Sequence, residues 1–265
     1  MRPILFEIGG LAVESYLFFY ALGCLVGGIV FWSEVRRRRW PLETLIFVLL
    51  GCMFGALAGS ALFSLLFLDW TALPEHYRFG ELLGRTVVGG IAGGFLGVEI
   101  TKKLIGYPHR TGDAFAVAIP LGHAVGRIGC LLGGCCFGTP SNLPWAITYP
   151  AGSVPHAFHV HWGLLDASSL ASLPVHPAPL YEIGFDLLLF AILWRMRNHF
   201  AERGMLFRLY LALYAGYRFL AEFIRGDSLL PEIGLKPVQY LLLAAAIHYG
   251  WIIWKQRNAR LQDPA

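Results

Sequence analysis

Apolar residues in this chain come in long unbroken blocks, not in the two-residue alternation of strands or the one-sided stripe of a surface helix. Crossing a hydrocarbon layer of about 30 Å takes roughly 20 helical residues. Three runs are long enough and carry no charge: 15–33, 44–68 and 237–254. Four further blocks are interrupted: about 82–101 by Arg85 and Glu99, 114–132 by Arg127, 179–194 by Glu182 and Asp186, and 205–225 by Arg218 and Glu222. The pattern predicts an all-α, polytopic membrane protein of seven transmembrane helices. It reads as one integral membrane domain over 1–265, with a loop region at about 133–175.

Basic residues orient the spans, because loops on the cytoplasmic side are enriched in Lys and Arg. With the amino terminus outside, the inward loops hold Arg36–Arg39, Lys102, Lys103, Arg110, Arg195, Arg197, Arg203, Arg208, Lys255, Arg257 and Arg260, 14 of the 21 basic residues. The expected orientation is therefore a periplasmic amino terminus and a cytoplasmic carboxy terminus. Glu7 and Glu14 precede the first span with no basic region or small-residue cleavage site, so it reads as retained. The 133–175 loop, with five prolines, Trp145, Trp162 and three histidines, falls on the outer side; a loop of that length is more often functional than incidental.

Composition agrees: 56% of the 265 residues are hydrophobic, 14% are charged, and the mean hydropathy is +0.57, against about 25% charged in soluble domains. The net charge of +4 is accounted for by loop arginines facing anionic lipid. No aromatic-and-basic pattern points to nucleic acid, and none is expected as a partner. The absence of an internal repeat disfavours an inverted-repeat transporter.

Charges inside spans carry the chemistry. An arginine or aspartate at mid-span costs about 2.5 to 3.5 kcal/mol on insertion scales, so such residues face polar interiors and mark functional sites. Arg127, Arg218, Glu222, Arg225 and Glu182 all fall near the outer ends of their spans. Tyr210 and Tyr214 share a helical face with Arg218 and Glu222. These groups could pair internally, Arg218 with Glu222 and Arg127 with Glu182. Three basic groups against two acidic ones still leave positive charge, which suits an anion, and a guanidinium fork fits phosphate.

GRIGCLLGGCCFG, residues 126–138, sits beside this cluster. Its Gly126, Gly129 and Gly138 allow close approach of backbone to a helix or ligand. Gly89, Gly90, Gly93, Gly94 and Gly97 on the third span do the same, or pack helices closely. Cys130, Cys135 and Cys136 offer a membrane thiol-redox protein as an alternative, although no second cysteine pair exists to relay electrons. Their C-x4-C-C spacing matches no usual zinc pattern, so no metal and no cofactor are expected. Packing or an incidental disulfide is the simpler role. A non-enzymatic phospholipid-binding protein would use the same cationic pocket.

GRIGCLLGGCCFG, PVHPAPLYE (174–182), YAGYRFLAEFIRGD (214–227) and the opening PILFEIGGLAVESYLFFYALG together resemble the bacterial prolipoprotein diacylglyceryl transferases, over nearly the whole chain. The resemblance implies a seven-helix enzyme of the bacterial inner membrane with its site facing the periplasm. Such an enzyme moves the diacylglyceryl group of phosphatidylglycerol onto the lipobox cysteine thiol of a preprolipoprotein, forms a thioether and releases glycerol phosphate. The partners so implied are phosphatidylglycerol, the preprolipoprotein signal peptide and the bilayer; a monomer is expected. Matching motif positions imply that Arg127 and Arg218 are catalytic and that Tyr16, Gly138 and Tyr214 belong to the site; with them Gly126, Gly129, Tyr181, Glu182, Glu222 and Arg225 are expected to bind substrate.

The chain departs from the family pattern at Val88, where a histidine is frequent, at Cys130 and Cys135, in place of asparagine and glutamate, and at Pro179, in place of glutamine. His123, four residues before Arg127 on the same helical face, is the expected general base, with His176 a weaker candidate. A histidine there could instead serve only hydrogen bonding within the bundle. Attack of the thiol on the glyceryl carbon builds charge on the departing phosphate, which two arginines would stabilise.

Overall fold

The structure, a computed structural model, describes residues 1–66, 87–200, 202–226 and 234–262. Arg85 with the start of the third expected span, the last two residues of the second, and Asp227 lie outside the described residues. The chain divides into two compact units, 1–33 with 110–265, and 34–109.

The chain opens with a hairpin, β1 (Ile4–Ile8) and β2 (Leu11–Glu14), antiparallel around Gly9 and Gly10. Both turn residues have positive φ, 57° and 84°, the geometry of the tight two-residue turn that glycine alone adopts freely. Then come α1 (Ser15–Arg37), α2 (Leu42–Leu66), α3 (Val87–Leu104), α4 (Gly112–Gly133), the short α5 (Val154–His161), α6 (Ala178–Met196), α7 (Met205–Ala221) and α8 (Pro237–Gln262). Every expected span is thus helical where it is described, except that the span expected at 205–225 ends as a helix at Ala221, after which Arg225 pairs with Gly138 in a short bridge. Three helical stretches, Ser15–Arg37, Glu43–Phe63 and Gly112–Gly133, are long and apolar enough to cross a membrane by length and composition. Their outward faces carry Leu25, Ile29, Phe54, Leu57 and Leu62, each more than half exposed, as lipid contact requires.

In the second unit α2 and α3 interlock through glycine. A methyl group on Gly59 would lie 2.5 Å from the Gly89 carbonyl oxygen and 2.6 Å from Gly93 Cα. The small residues of the third span therefore serve helix packing, one of the two roles the sequence allows them. In the first unit α1 meets α4 in the same way, with Gly23 against the Gly122 carbonyl at 2.5 Å.

α4 is held at both ends. Asp113 in its first turn accepts from the backbone N–H of Gly204 at 2.8 Å and of Phe207 at 3.2 Å, satisfying donors that the start of α7 leaves open. Gly134, at φ 73°, closes the helix, and the N–H groups of Gly134 and Cys135 both donate to the Cys130 carbonyl. Beyond it, residues 138–176 fold into an ordered cap. Phe137, Tyr149 and Val175 form its core, and backbone pairs join Ile147 to Val175 and Pro150 to Ala171. α5 starts on Ser153, whose hydroxyl accepts from His156 N–H, with proline in the first turn.

Candidate functional site

Three helices of the first unit each present polar residues four apart, which places them on one face of the helix: His123 and Arg127 on α4, Glu182 and Asp186 on α6, Tyr214 and Arg218 on α7. These faces meet. Arg127 Nε contacts Glu182 Oε2 directly, and Arg218 Nη1 lies 3.8 Å from the other oxygen, Oε1. One carboxylate thus stands between guanidinium groups from two different helices. Arg218 Nη2 also pairs with Glu222 at 2.8 Å, one turn on, and Lys236 Nζ reaches Glu222 Oε1 at 3.2 Å. Arg127, Arg218, Glu182 and Glu222 are all buried.

His123 bridges Asp186 and Arg127. Its Nδ1 is 2.7 Å from Asp186 Oδ2, and its Nε2 accepts from Arg127 Nε at 3.1 Å. Those partners assign the tautomer: the proton sits on Nδ1, held by the carboxylate, and the lone pair on Nε2 points at the arginine. The His123 ring stands edge-on to Tyr214, and Tyr214 stacks on Tyr210, with centroids 6.1 and 5.8 Å apart.

Buried polar atoms without a hydrogen-bond partner of good geometry gather in this cluster, donors and acceptors alike: Arg218 Nη1, the hydroxyls of Tyr214 and Tyr217, and the carboxylate oxygens Glu182 Oε2, Asp186 Oδ2 and Glu222 Oε2. A buried polar group left unpaired is costly and rare in native structures. Counting Arg127, Arg218, Arg225 and Lys236 against Glu182, Asp186 and Glu222 leaves one net positive charge.

The remaining sequence candidates stand around this centre. Gly129 packs on α1, where a methyl group would meet Tyr16 Cα and the Ser15 carbonyl oxygen at 3.1 Å. A methyl group on Gly126 would meet nothing within 4 Å. Gly138 lies where three segments cross: its N–H donates to the His176 carbonyl, it pairs with Arg225, and a methyl group would stand 2.5 Å from His176 Cβ. Tyr181, in the first turn of α6, reaches the cap, its hydroxyl accepting from Trp145 Nε1 at 2.7 Å and lying 3.2 Å from His176 Nδ1. That contact engages His176 in the cap.

Cys130, Cys135 and Cys136 are free thiols whose sulfurs lie within 4.8 Å of one another. Arg127 Nη1 donates to Cys130 Sγ at 3.7 Å. Past the end of α4, the Cys136 thiol is held well below the ordinary range by donation from Cys130 and Cys135 and by the positive charge of Arg127 and Arg225, against the effect of burial. Hydrogen bonding to Cys130 and Cys136, with burial, pushes the Cys135 thiol up.

Sequence reasoning named Asp186 only as an interruption and gave it no role; the residue four before it was the available signal. Lys236 reads as an ordinary charge flanking a span, and only the fold brings it to Glu222. Gln239, fully buried, accepts from Lys236 N–H and donates to the Phe219 carbonyl, which fastens the start of α8 to the end of α7.

Helices long and apolar enough to cross a membrane, and a buried arginine–carboxylate cluster of which one of them, α4, supplies Arg127, define an integral membrane protein of the α-helical class. Comparison with known proteins narrows this. The sequence profile of the prolipoprotein diacylglyceryl transferases matches residues 3–255, and the chain belongs to that family. It is 33% identical to the phosphatidylglycerol–prolipoprotein diacylglyceryl transferase of Neisseria meningitidis serogroup B, over 90% of each chain. It is 31% identical to the enzyme of that name from Dehalococcoides mccartyi, covering 98% of this chain and 96% of the relative, and 31% identical to the one from Clostridium tetani, over 86% of each.

Proposed function

We propose that this protein transfers the diacylglyceryl group of phosphatidylglycerol to the lipobox cysteine thiol of a preprolipoprotein. The observation that carries the reading is the sharing of one buried carboxylate, Glu182, by guanidinium groups from two helices, Arg127 and Arg218. A headgroup phosphate entering here would take the place Glu182 only partly fills, each guanidinium offering paired N–H groups to its oxygens.

In the reaction the thiol sulfur bonds to the terminal glyceryl carbon as that carbon's bond to the phosphate oxygen breaks. Glycerol phosphate leaves with one more negative charge than the diester carried, and the thiol proton passes to a base. Donors aimed at such growing charge contribute about 3 to 4 kcal/mol each in comparable oxyanion sites. His123, with its Nδ1 proton held by Asp186, is the base. Its Nε2 becomes available when Arg127 turns from it toward phosphate. Tyr16, Gly126 and Gly129 on α1 and α4, with Tyr181, Gly138, Tyr214, Glu222 and Arg225, are the residues proposed to bind substrate.

The basic loops support seven spans in the bacterial inner membrane, with the amino terminus and the site on the periplasmic side and the carboxy terminus in the cytoplasm. The two-chain lipid enters sideways between helices. A single chain supplies the cluster, which supports action as a monomer. The test is direct. Purified protein is incubated with phosphatidylglycerol and a lipobox peptide, and the expected product is a peptide heavier by one diacylglyceryl group in thioether linkage. Phospholipid bound without product would leave only a binding protein, and dithiol-driven quinone reduction without product would favour thiol-redox chemistry.

A further inference from the structure

Cys130, Cys135 and Cys136 have no part in the transfer described above, yet the fold gathers them. Cys130 lies in the last turn of α4. Two successive departures into left-handed backbone, Gly134 at φ 73° and Cys136 at φ 57°, turn the chain back so that all three sulfurs lie within 4.8 Å of one another. A residue with a side chain adopts that conformation at roughly 1–2 kcal/mol, so the return of Cys136 is opposed locally and needs a reason. Three thiolates around one metal at the usual zinc–sulfur distance of about 2.3 Å would stand about 4 Å apart, so metal binding asks for a small contraction only.

A second observation points the same way. Tyr149 is 1% exposed, and its hydroxyl has no hydrogen-bond partner. Its ring lies against Gly134, 3.4 Å from where a methyl group would be, next to Cys135. A buried phenol oxygen without a partner, on a ring packed against the turn between Cys130 and Cys135, is the candidate for a fourth position. Three thiolates with a divalent ion carry one net negative charge, and Arg127, which donates to Cys130 Sγ, answers it.

We propose that Cys130, Cys135 and Cys136 bind one thiophilic, zinc-class cation, with the Tyr149 oxygen closing its fourth side. Each thiol releases its proton to solvent as its sulfur–metal bond forms, and nothing is oxidised or reduced. The spacing C-x4-C-C conceals this site in the sequence, because the turn and not the interval brings the sulfurs together. Fixed by the metal, Cys130 would hold Arg127 from behind.

The full chain, reduced and in detergent, is titrated with cadmium, whose thiolate charge-transfer band in the ultraviolet reports sulfur ligation. One equivalent should saturate the band, zinc should compete it away, and three of the five cysteines should become shielded from alkylation until a chelator is added. Cys24→Ser with Cys52→Ser should bind unchanged. Cys130→Ser, Cys135→Ser and Cys136→Ser should each weaken binding at least about 100-fold, beyond the usual effect of an outer-shell change, and Tyr149→Phe should weaken it about tenfold. Shielding in the unaltered protein reads binding even where a variant fails to fold. An undiminished band in Cys136→Ser, no saturation at one equivalent, or a wild-type mass two hydrogens light, meaning a disulfide, would overturn the site. Unchanged affinity in Tyr149→Phe would remove the phenol from it.

Discussion

At the level of single residues, the weight rests on groups four apart. Arg127→Ala and Arg218→Ala each remove a donor aimed at developing phosphate charge, about 3 kcal/mol, so transfer to a lipobox peptide should fall roughly 100-fold or more in each. Arg127→Lys should recover little, because an ammonium cannot span two phosphate oxygens as a guanidinium does. His123→Ala should lower kcat by about 100- to 10,000-fold if the imidazole takes the thiol proton. Asp186→Asn tests the same pair more finely: an amide can donate to Nδ1, favouring the opposite tautomer, and kcat should drop while the KM for phosphatidylglycerol holds. Full activity in both variants would remove His123 from the mechanism. Arg127, Arg218 and Glu182 were legible from charge in apolar spans alone, and His123 from its place four residues before Arg127. Asp186 was visible but silent, because a carboxylate shows its partner only when the neighbouring helix is in place.

Among the elements, glycine decides what packs. Gly59→Ala would drive a methyl group into the Gly89 carbonyl at 2.5 Å, whereas Gly90→Ala would meet the Ala56 carbonyl at an ordinary 3.8 Å. Overpacking of this kind costs about 1–3 kcal/mol, so Gly59→Ala should lower the melting temperature in detergent and Gly90→Ala should leave it nearly unchanged. α5 carries a pH dependence of its own. His159 Nδ1 accepts from Leu173 N–H at 3.3 Å, and burial with nearby His156 holds the imidazole below its ordinary range. The folded cap therefore prefers the neutral ring. Its contribution is present above about pH 6.5 and is lost as pH falls, since the unfolded chain takes up the proton first. Melting temperature should decline from about pH 7 to about pH 5, and less so in His159→Gln, which keeps an acceptor for Leu173. The helices themselves were legible as apolar blocks. The hairpin at Ile4–Glu14 and the short α5 were not, because each is shorter than the block scale, although a Gly-Gly turn and a Ser-x-Pro start marked them locally.

Across the whole molecule, the cap is the part that block hydropathy reads least well. Residues 133–175 looked like a loop because five prolines and few apolar runs leave no periodic signal, while its order comes from pairings distant in sequence. Segments at 137–140, 174–176 and 224–226 cross one another through Gly138, His176 and Gly226. Ala151 and Ser172 are bonded to Leu170 and Tyr149 across the same cap. Leu170, 88% exposed, sits at its outer rim, where a protease can reach. A single nick near that residue should therefore yield two polypeptides on a denaturing gel that still travel as one particle in detergent, the severed halves clasped by main-chain pairing on either side of the cut.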